Sequence, residues 1–560
     1  MKKAHYFFIC FVFVILSCKS LKPENNSHFH TANTPISLKK KKPKLVVGIV
    51  IDQMRYDYLI RFFNKYGEDG FKRILNDGFS LENAHYNFIP TYTAVGHASI
   101  YTGTSPVNHG IISNSWYDKY LKKSIYCVDD TRYKTIGNDS DAGKKSPARM
   151  LTTTVADQLR LAQNMKGKTI GIAIKDRSAI LPVGHTANAA YWFDGGNQGI
   201  WISSSFYMDK LPKWVQDFNR SRKADEYLNS PWETLYDIST YTESIDDDNN
   251  FEATFKGEKK PVFPHNIPKL RNKNNNYSIL KAIPSGNSFT TDFVKAAIIG
   301  EHLGTSEATD FLAISYSSTD YIGHQFGVAS KEIEDTYLRL DKDLASLFSF
   351  LDTEVGNQNY TLFLTADHAA VQVPSYLQSL KIPANYFKSK EFKIYVNKIT
   401  KKYFKSDQLV ENISNYQIFL NKENIESLQL DVDRVAQKIA DEAINFEGIY
   451  KSVTARTLQT TTFTNGILNS LQNGYNQKFS GDILLVPNPS TISHSRKGTT
   501  HGSGYSYDTH IPIIFYGNGI KKGASKKKYE IIDIAPTIAN FLQIEFPNGS
   551  TGKVIDEVLK

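Results

Sequence analysis

Three apolar, β-branched runs in this chain stop abruptly ahead of acidic and imidazole side chains. The run 45–51 (LVVGIVI) ends at Asp52, and 361–366 (TLFLTA) ends at Asp367 and His368. The run 311–316 (FLAISY) is followed by Asp320, with His324 four residues further on. Apolar on both faces, such runs read as buried parallel strands. In an open α/β sheet, ligands bind in the crevice outside the carboxyl ends of the strands, so the three ends are expected to converge.

Helical spacing with glycine stops over 56–78 completes a strand–helix unit after the first run, and it recurs over 151–163, 292–303 and 332–351. The segment 168–178 (KTIGIAIKDRS) reads as another strand. Periodicity is lost from about 185 to 289 and again from about 375 to 485, before GDILLVP and HIPIIFYG resume the sheet. The expected fold is α/β, a central, mostly parallel sheet flanked by helices, with two inserted cap segments.

The N-terminus has its own pattern. Lys2 and Lys3 precede an apolar run from Phe7 to Leu16, the n- and h-regions of an export signal and too short for the ~20 residues of a spanning helix. ILSC at 15–18 resembles a lipoprotein processing box with Cys18 as the lipidated residue; ordinary cleavage near Ser17 is the alternative. Residues 1–18 are expected to be a signal peptide, 19–43 a polar, flexible tether and 44–560 the folded body. The protein is then exported, either periplasmic or held at the outer membrane by a lipid anchor.

Charge adds little once this leader is set aside. Of the formal +9, nine lysines against Glu24 in residues 1–44 account for +8, leaving about +1 for the body. No nucleic acid is expected as a specific partner. Cys127 is the sole cysteine after the leader, so no internal disulfide forms and stability must come from the core and from bound metal.

The chemistry sits at the strand ends. Asp320 and His324, four apart on a helical turn, lie about 5–6 Å from each other and suit one cation. Asp52, Asp367 and His368 each have a bland reading alone, as a cap or a solvated strand end. Together the oxygen and imidazole donors suit zinc and can hold two ions. A sixth ligand is expected late in the chain, where KGTTHGSG offers His501; His494 and His510 compete, and His510, abutting a strand, reads as structural. Thr91 and Thr93 in PTYT are both candidate nucleophiles, since metal coordination can hold a threonine as alkoxide. A helix starting near Thr93 would also offer N–H groups to a phosphate. Asn114 can donate to a phosphoryl oxygen. Lys175 and Arg177, two apart at a predicted strand end and so on one side, offer a point charge and a bidentate fork.

In chain order, DQMR from Asp52, PTYT, Asn114, KDRS, STDYIGH, TADH, GTTHG and DIAPT resemble the motif set of the alkaline phosphatase superfamily. The resemblance covers nearly all of the chain after Lys44. It is nearest to the phosphate-irrepressible, PafA-type bacterial branch, whose core is shared with nucleotide pyrophosphatase/phosphodiesterases. It implies two Zn²⁺ ions, one on Asp320, His324 and His501 and the other on Asp52, Asp367 and His368. It implies Thr93, not Thr91, as the nucleophile, a phosphothreonine intermediate, and phosphoryl contacts from Asn114, Lys175 and Arg177. The implied activity is hydrolysis of small phosphate monoesters to alcohol and inorganic phosphate by a monomer. Phosphodiesterase or nucleotide pyrophosphatase action at the same two-zinc site is the alternative; the extra charge of a monoester dianion suits Lys175 and Arg177 better. Thr93 stands where sulfatases of the superfamily need Cys or Ser. Ala369 and Gly502 depart from the pattern beside ligands without removing a ligating atom.

Overall fold

The computed structural model describes residues 42–196 and 198–560; the expected signal peptide and nearly all of the tether, residues 1–41, lie outside them. In the first half of the chain the strands are β1 (Leu45–Ile51), β2 (Phe79–His85), β3 (Ser115–Asp118), β4 (Lys123–Tyr126), β5 (Thr135–Ile136), β6 (Thr169–Ala173), β7 (Ala189–Asp194) and β8 (Ile200–Ser204). They continue as β9 (Asp310–Tyr316), β10 (Tyr360–Thr365), β11 (Asn385–Tyr386), β12 (Val410–Ser414), β13 (Gln417–Leu420), β14 (Ile449–Thr454), β15 (Ile483–Pro487), β16 (Thr491–Ile492), β17 (His510–Gly517) and β18 (Gly523–Glu530). Ten of them form one sheet in the order β18-β2-β17-β10-β1-β9-β6-β7-β8-β5. Its central five, β10-β1-β9-β6-β7, are parallel, and β17 and β8 flank them antiparallel. The expected α/β class with a mostly parallel centre is what the chain adopts.

Every residue of β1, β9 and β10 is buried, as strands covered by helices on both faces must be. Each fully buried Val, Ile or Leu there contributes about 1.5–3 kcal/mol, which fixes the register and hence where each strand stops. A Cβ at Gly48 would come within 2.6 Å of both Phe363 Cζ and Tyr101 Oη, so the centre of β1 is packed to a distance that excludes a side chain. Three helices carry site residues: α1 (Thr93–Thr102), α2 (Asp176–Val183) and α3 (Ser318–Phe326). Among the described residues no helix is long and apolar enough to cross a membrane.

Three expectations are corrected. The strand read over 168–178 ends at Ala173, and α2 begins at Asp176 with Lys175 as its N-cap, so the polar end of the run is the start of a helix. The segment 185–289 does not leave the sheet at once: β7 (AAYWFD) and β8 extend it, and with no β-branched residue β7 does not announce itself as a strand. GDILLVP does not resume the main sheet. As β15 it lies in a separate four-stranded sheet, β12-β13-β15-β14, covered by the helices Ser389–Phe404 and Val432–Ala443 over their own core of Phe392, Val396, Ile439, Ile418 and Ile483. An apolar run fits any buried sheet, and its pattern cannot say which.

Candidate active site

The register of the parallel strands brings the candidate ligand side chains together. Asp52 follows β1, Asp367 and His368 follow β10, and α3 after β9 presents Asp320 and His324 one turn apart; His501 enters on the loop before β17. All are buried except His324, which is partly exposed. His324 Nε2 lies 3.1 Å and His501 Nε2 3.6 Å from Asp320 Oδ1. His368 Nε2 lies 3.5 Å from both Asp52 Oδ1 and Asp367 Oδ2. The tight groupings, with ligand atoms within 4.8 Å of one another, are Asp320–His324–His501 and Asp52–Asp320–His368. Asp320 is therefore central to both, and Asp367 joins the second through His368.

The imidazoles are oriented as ligands. Each places Nδ1 on a backbone carbonyl: His324 on Thr499 at 2.8 Å, His368 on Ala369 at 3.1 Å and His501 on Thr91 at 2.7 Å. Donation from Nδ1–H fixes the tautomer and leaves the Nε2 lone pair facing the cluster. Burial pushes the His501 pKa down to about 3, and burial with the His501 neighbour holds His368 well below the usual range.

The carboxylates call for cations. Asp52 Oδ1 and Oδ2 and Asp367 Oδ2 are buried without a hydrogen-bond partner. Burial, and then the charge of Asp367, holds Asp52 well above the usual carboxylate range, and burial pushes Asp367 up to about 7. The Lys175 ammonium lies between them and Asp320, 2.8 Å from Asp52 Oδ2 in charge contact and 2.5 Å from Asp320 Oδ2. A buried, oxygen- and imidazole-lined cluster with orphaned carboxylate oxygens fits a metal cofactor.

Beside this cluster lies the candidate nucleophile. Thr93 opens α1, and its Oγ1 is 3.5 Å from His368 Nε2. The Thr91 hydroxyl instead donates to Ser503 O at 2.9 Å, and its carbonyl orients His501. Asn114 Oδ1 accepts from Ala94 N at 2.9 Å, which leaves its Nδ2 available to a ligand. Lys175 and Arg177 do not share a strand side: Lys175 precedes α2 and Arg177 is its second residue. Arg177 Nη1 donates to Tyr126 Oη at 3.0 Å, Tyr126 Oη donates to Asp176 Oδ1 at 2.5 Å, and Arg177 Nε is buried without a partner. A Cβ on Gly96 would sit 2.1 Å from Asp367 O, so α1 can approach the end of β10 only with glycine there.

Two residues were not anticipated. His97, one turn after Thr93, has Nδ1 2.8 Å from Thr93 O and 3.3 Å from Asp367 Oδ2; its i,i+4 spacing from Thr93 was the available signal. Gln53 donates its backbone N–H to Asp367 Oδ1 at 3.1 Å and Nε2 to Asp320 Oδ1 at 2.6 Å, tying the two groupings together from the residue next to Asp52. His494 lies beside His324 with ring centroids 6.2 Å apart, whereas His510 bonds Glu82 O at 3.0 Å and stacks on Tyr56 and His85.

Residues 46–510 match the family described as type I phosphodiesterase / nucleotide pyrophosphatase. A protein of Myroides odoratus named calcium-transporting ATPase is 47% identical over 528 residues, covering 94% of this chain and 96% of the relative. Alkaline phosphatase PhoV of Synechococcus elongatus is 46% identical over 530 residues, covering 93% of each chain. The solved structure of wild-type alkaline phosphatase PafA superposes with a TM-score of 0.89 at 42% identity, covering 93% of this chain and 99% of that one.

Proposed function

The chain belongs to the type I phosphodiesterase / nucleotide pyrophosphatase family and groups with the alkaline phosphatases, and from that premise we propose that it hydrolyses phosphate monoesters through a phosphothreonine at Thr93. The observation that carries this reading is Thr93 Oγ1 at the start of α1, 3.5 Å from His368 Nε2 at the rim of the carboxylate and imidazole cluster.

Asp52, Asp367 and His368 would hold one Zn²⁺ and Asp320, His324 and His501 a second; when bound, the ions supply Lewis-acid charge that lets a hydroxyl or a water ionise near neutral pH. Thr93 Oγ1 gives up its proton to solvent and attacks phosphorus, and the bond from phosphorus to the alcohol oxygen breaks as the new one forms. The alcohol leaves and takes up a proton from solvent. Water then attacks the same phosphorus from the opposite side, the bond to Thr93 Oγ1 breaks, and inorganic phosphate departs while the hydroxyl regains a proton. In both steps Asn114 Nδ2, the Arg177 guanidinium and the positive end of α1 face the non-bridging oxygens, where charge is spread in the transition state. Burial works against the charge on Lys175, and Asp320 and Asp52 outweigh it and raise its pKa.

A monoester offers one more negative charge to Lys175 and Arg177 than a diester does. Metal analysis and kcat/KM for p-nitrophenyl phosphate, bis-p-nitrophenyl phosphate and ATP, before and after chelation, test the proposal. The monoester is expected to be preferred, and its turnover to vanish on chelation and return with zinc. A diester preference would assign the site to phosphodiester hydrolysis; zinc-loaded protein that turns over none of the three would sink the enzymatic reading. The leader adds a proposal of location, outside the cytoplasm and acylated at Cys18. Labelled fatty acid incorporated equally well by Cys18→Ser protein would reject it.

A further inference from the structure

Asn114 immediately precedes β3, and Tyr126, the partner of Arg177, ends β4; Ser115 and Tyr126 are paired directly across this ribbon. Two phosphoryl contacts thus depend on one element, Asn114 directly and Arg177 through Tyr126. The ribbon has only two strands and no ladder to the main sheet, so it is marginal by itself. Much of its support comes from the second insertion. Tyr117 meets Phe419 with ring centroids 5.2 Å apart, Trp116 meets Phe479 at 5.9 Å, Lys119 Nζ donates to Ser480 O at 2.9 Å, and Asn415 Nδ2 donates to Ser115 O at 2.7 Å.

Asn415 and Tyr416 form the two-residue turn between β12 and β13, with φ of 51° and 57°. A hairpin turn of this kind needs positive φ at both positions and favours Asn-Gly. A bulky aromatic residue in the second position is an outlier whose strain the surroundings must hold. Here the Tyr416 ring packs against Phe387 at 5.1 Å, and its hydroxyl accepts from the Ser493 backbone, on the segment that leads to His494 and His501. The hairpin tip is therefore fastened on both sides of the site.

We propose that Asn415 is a positioning residue for the reaction: by holding the Ser115 carbonyl it fixes the ribbon that presents Asn114 and, through Tyr126, Arg177 to the phosphoryl group. The proposal presupposes that Asn114 and Arg177 bind that group. Asn415→Gly keeps the turn, because glycine takes up positive φ freely, and removes only the donor. Inhibition by inorganic phosphate and kcat/KM for p-nitrophenyl phosphate should each weaken by up to about tenfold, the size expected for one lost hydrogen bond. Zinc content should stay at the wild-type value, and Tm should fall by no more than the few degrees one hydrogen bond is worth. In a background already carrying Asn114→Ala and Arg177→Ala, the same substitution should change little, since the groups it positions are gone. Asn415→Asp, which sets an acceptor against the carbonyl, should repeat the loss. Wild-type phosphate affinity in folded Asn415→Gly protein overturns the proposal, as does an undiminished further loss in the double-variant background. Unfolding of both Asn415 variants would assign the residue to stability alone and overturn it too. If Asn114→Ala and Arg177→Ala leave phosphate affinity unchanged, the assignment of those two contacts falls, and this proposal with it.

Discussion

His368 and His501 lie ring on ring, with centroids 3.4 Å apart and planes 14° from parallel. Each spends Nδ1 on a backbone carbonyl, and burial keeps both neutral, so the stacked pair offers two Nε2 lone pairs side by side. The rings belong to different candidate metal groupings, and this contact joins the two.

The two histidines should therefore fail differently. His368→Ala and His501→Ala are each predicted to lose metal affinity by at least 10–100-fold, the range seen even for partners one step removed from a metal. His368→Ala should slow the formation of phosphoenzyme, whereas His501→Ala should slow leaving-group departure and the second, hydrolytic step. Metal analysis with rapid-mixing kinetics distinguishes these outcomes; identical kinetic defects would contradict the separate roles.

Removing metal should destabilise the body as well as silence it. Chelation leaves Asp52 Oδ1 and Asp367 Oδ2 buried without a hydrogen-bond partner, and an unsatisfied buried group costs about 1–3 kcal/mol, more when charged. A fall in Tm of several degrees on chelation, reversed by zinc, is the expected result in thermal unfolding; an unchanged Tm would mean that Lys175 alone satisfies the cluster.

Gly96→Ala places a methyl group 2.1 Å from Asp367 O, a contact with backbone that no rotamer relieves. Overpacking of this sort costs about 1–3 kcal/mol. Because the atom displaced belongs to a proposed ligand residue, zinc content and kcat are predicted to fall with Tm, which metal analysis beside calorimetry would reveal.

A pH effect on stability should arise away from the site. His265 is buried, with Nδ1 2.9 Å from Glu258 Oε1 and Nε2 3.2 Å from Glu332 Oε1. Burial alone would lower its pKa, but Glu258 and Glu332 outweigh it and raise the value to about 9. A raised folded-state pKa gives stability that is full below about 6.5 and is lost as pH rises through 9, on the order of 3 kcal/mol. Tm should decline over that window, and His265→Gln should be less stable at pH 6 while losing much of the decline.

The strand ends were legible in the sequence because a run buried on both faces must stop where a charged side chain appears, and Asp52, Asp367 and His368 mark those stops. Asp320 and His324 were legible from helical spacing. The neighbours of the nucleophile were less so. Thr91 and Thr93 are equivalent in composition, and only the backbone entering α1 turns one hydroxyl toward Ser503 and the other toward His368. The bridging of Asp52 and Asp320 by Lys175 and the grip of Gln53 on Asp367 and Asp320 are contacts between distant segments that no local pattern encodes. The membership of GDILLVP in a second sheet is of the same kind, set by which strands lie beside it.

The central claim is the covalent role of Thr93, and mass spectrometry of acid-quenched enzyme mixed with excess p-nitrophenyl phosphate tests it most directly. Phosphate on the peptide containing Thr93, absent from folded, zinc-loaded Thr93→Ala protein that has lost turnover, is the predicted result. Near-normal turnover by Thr93→Ala, or phosphate trapped on another residue, would contradict it.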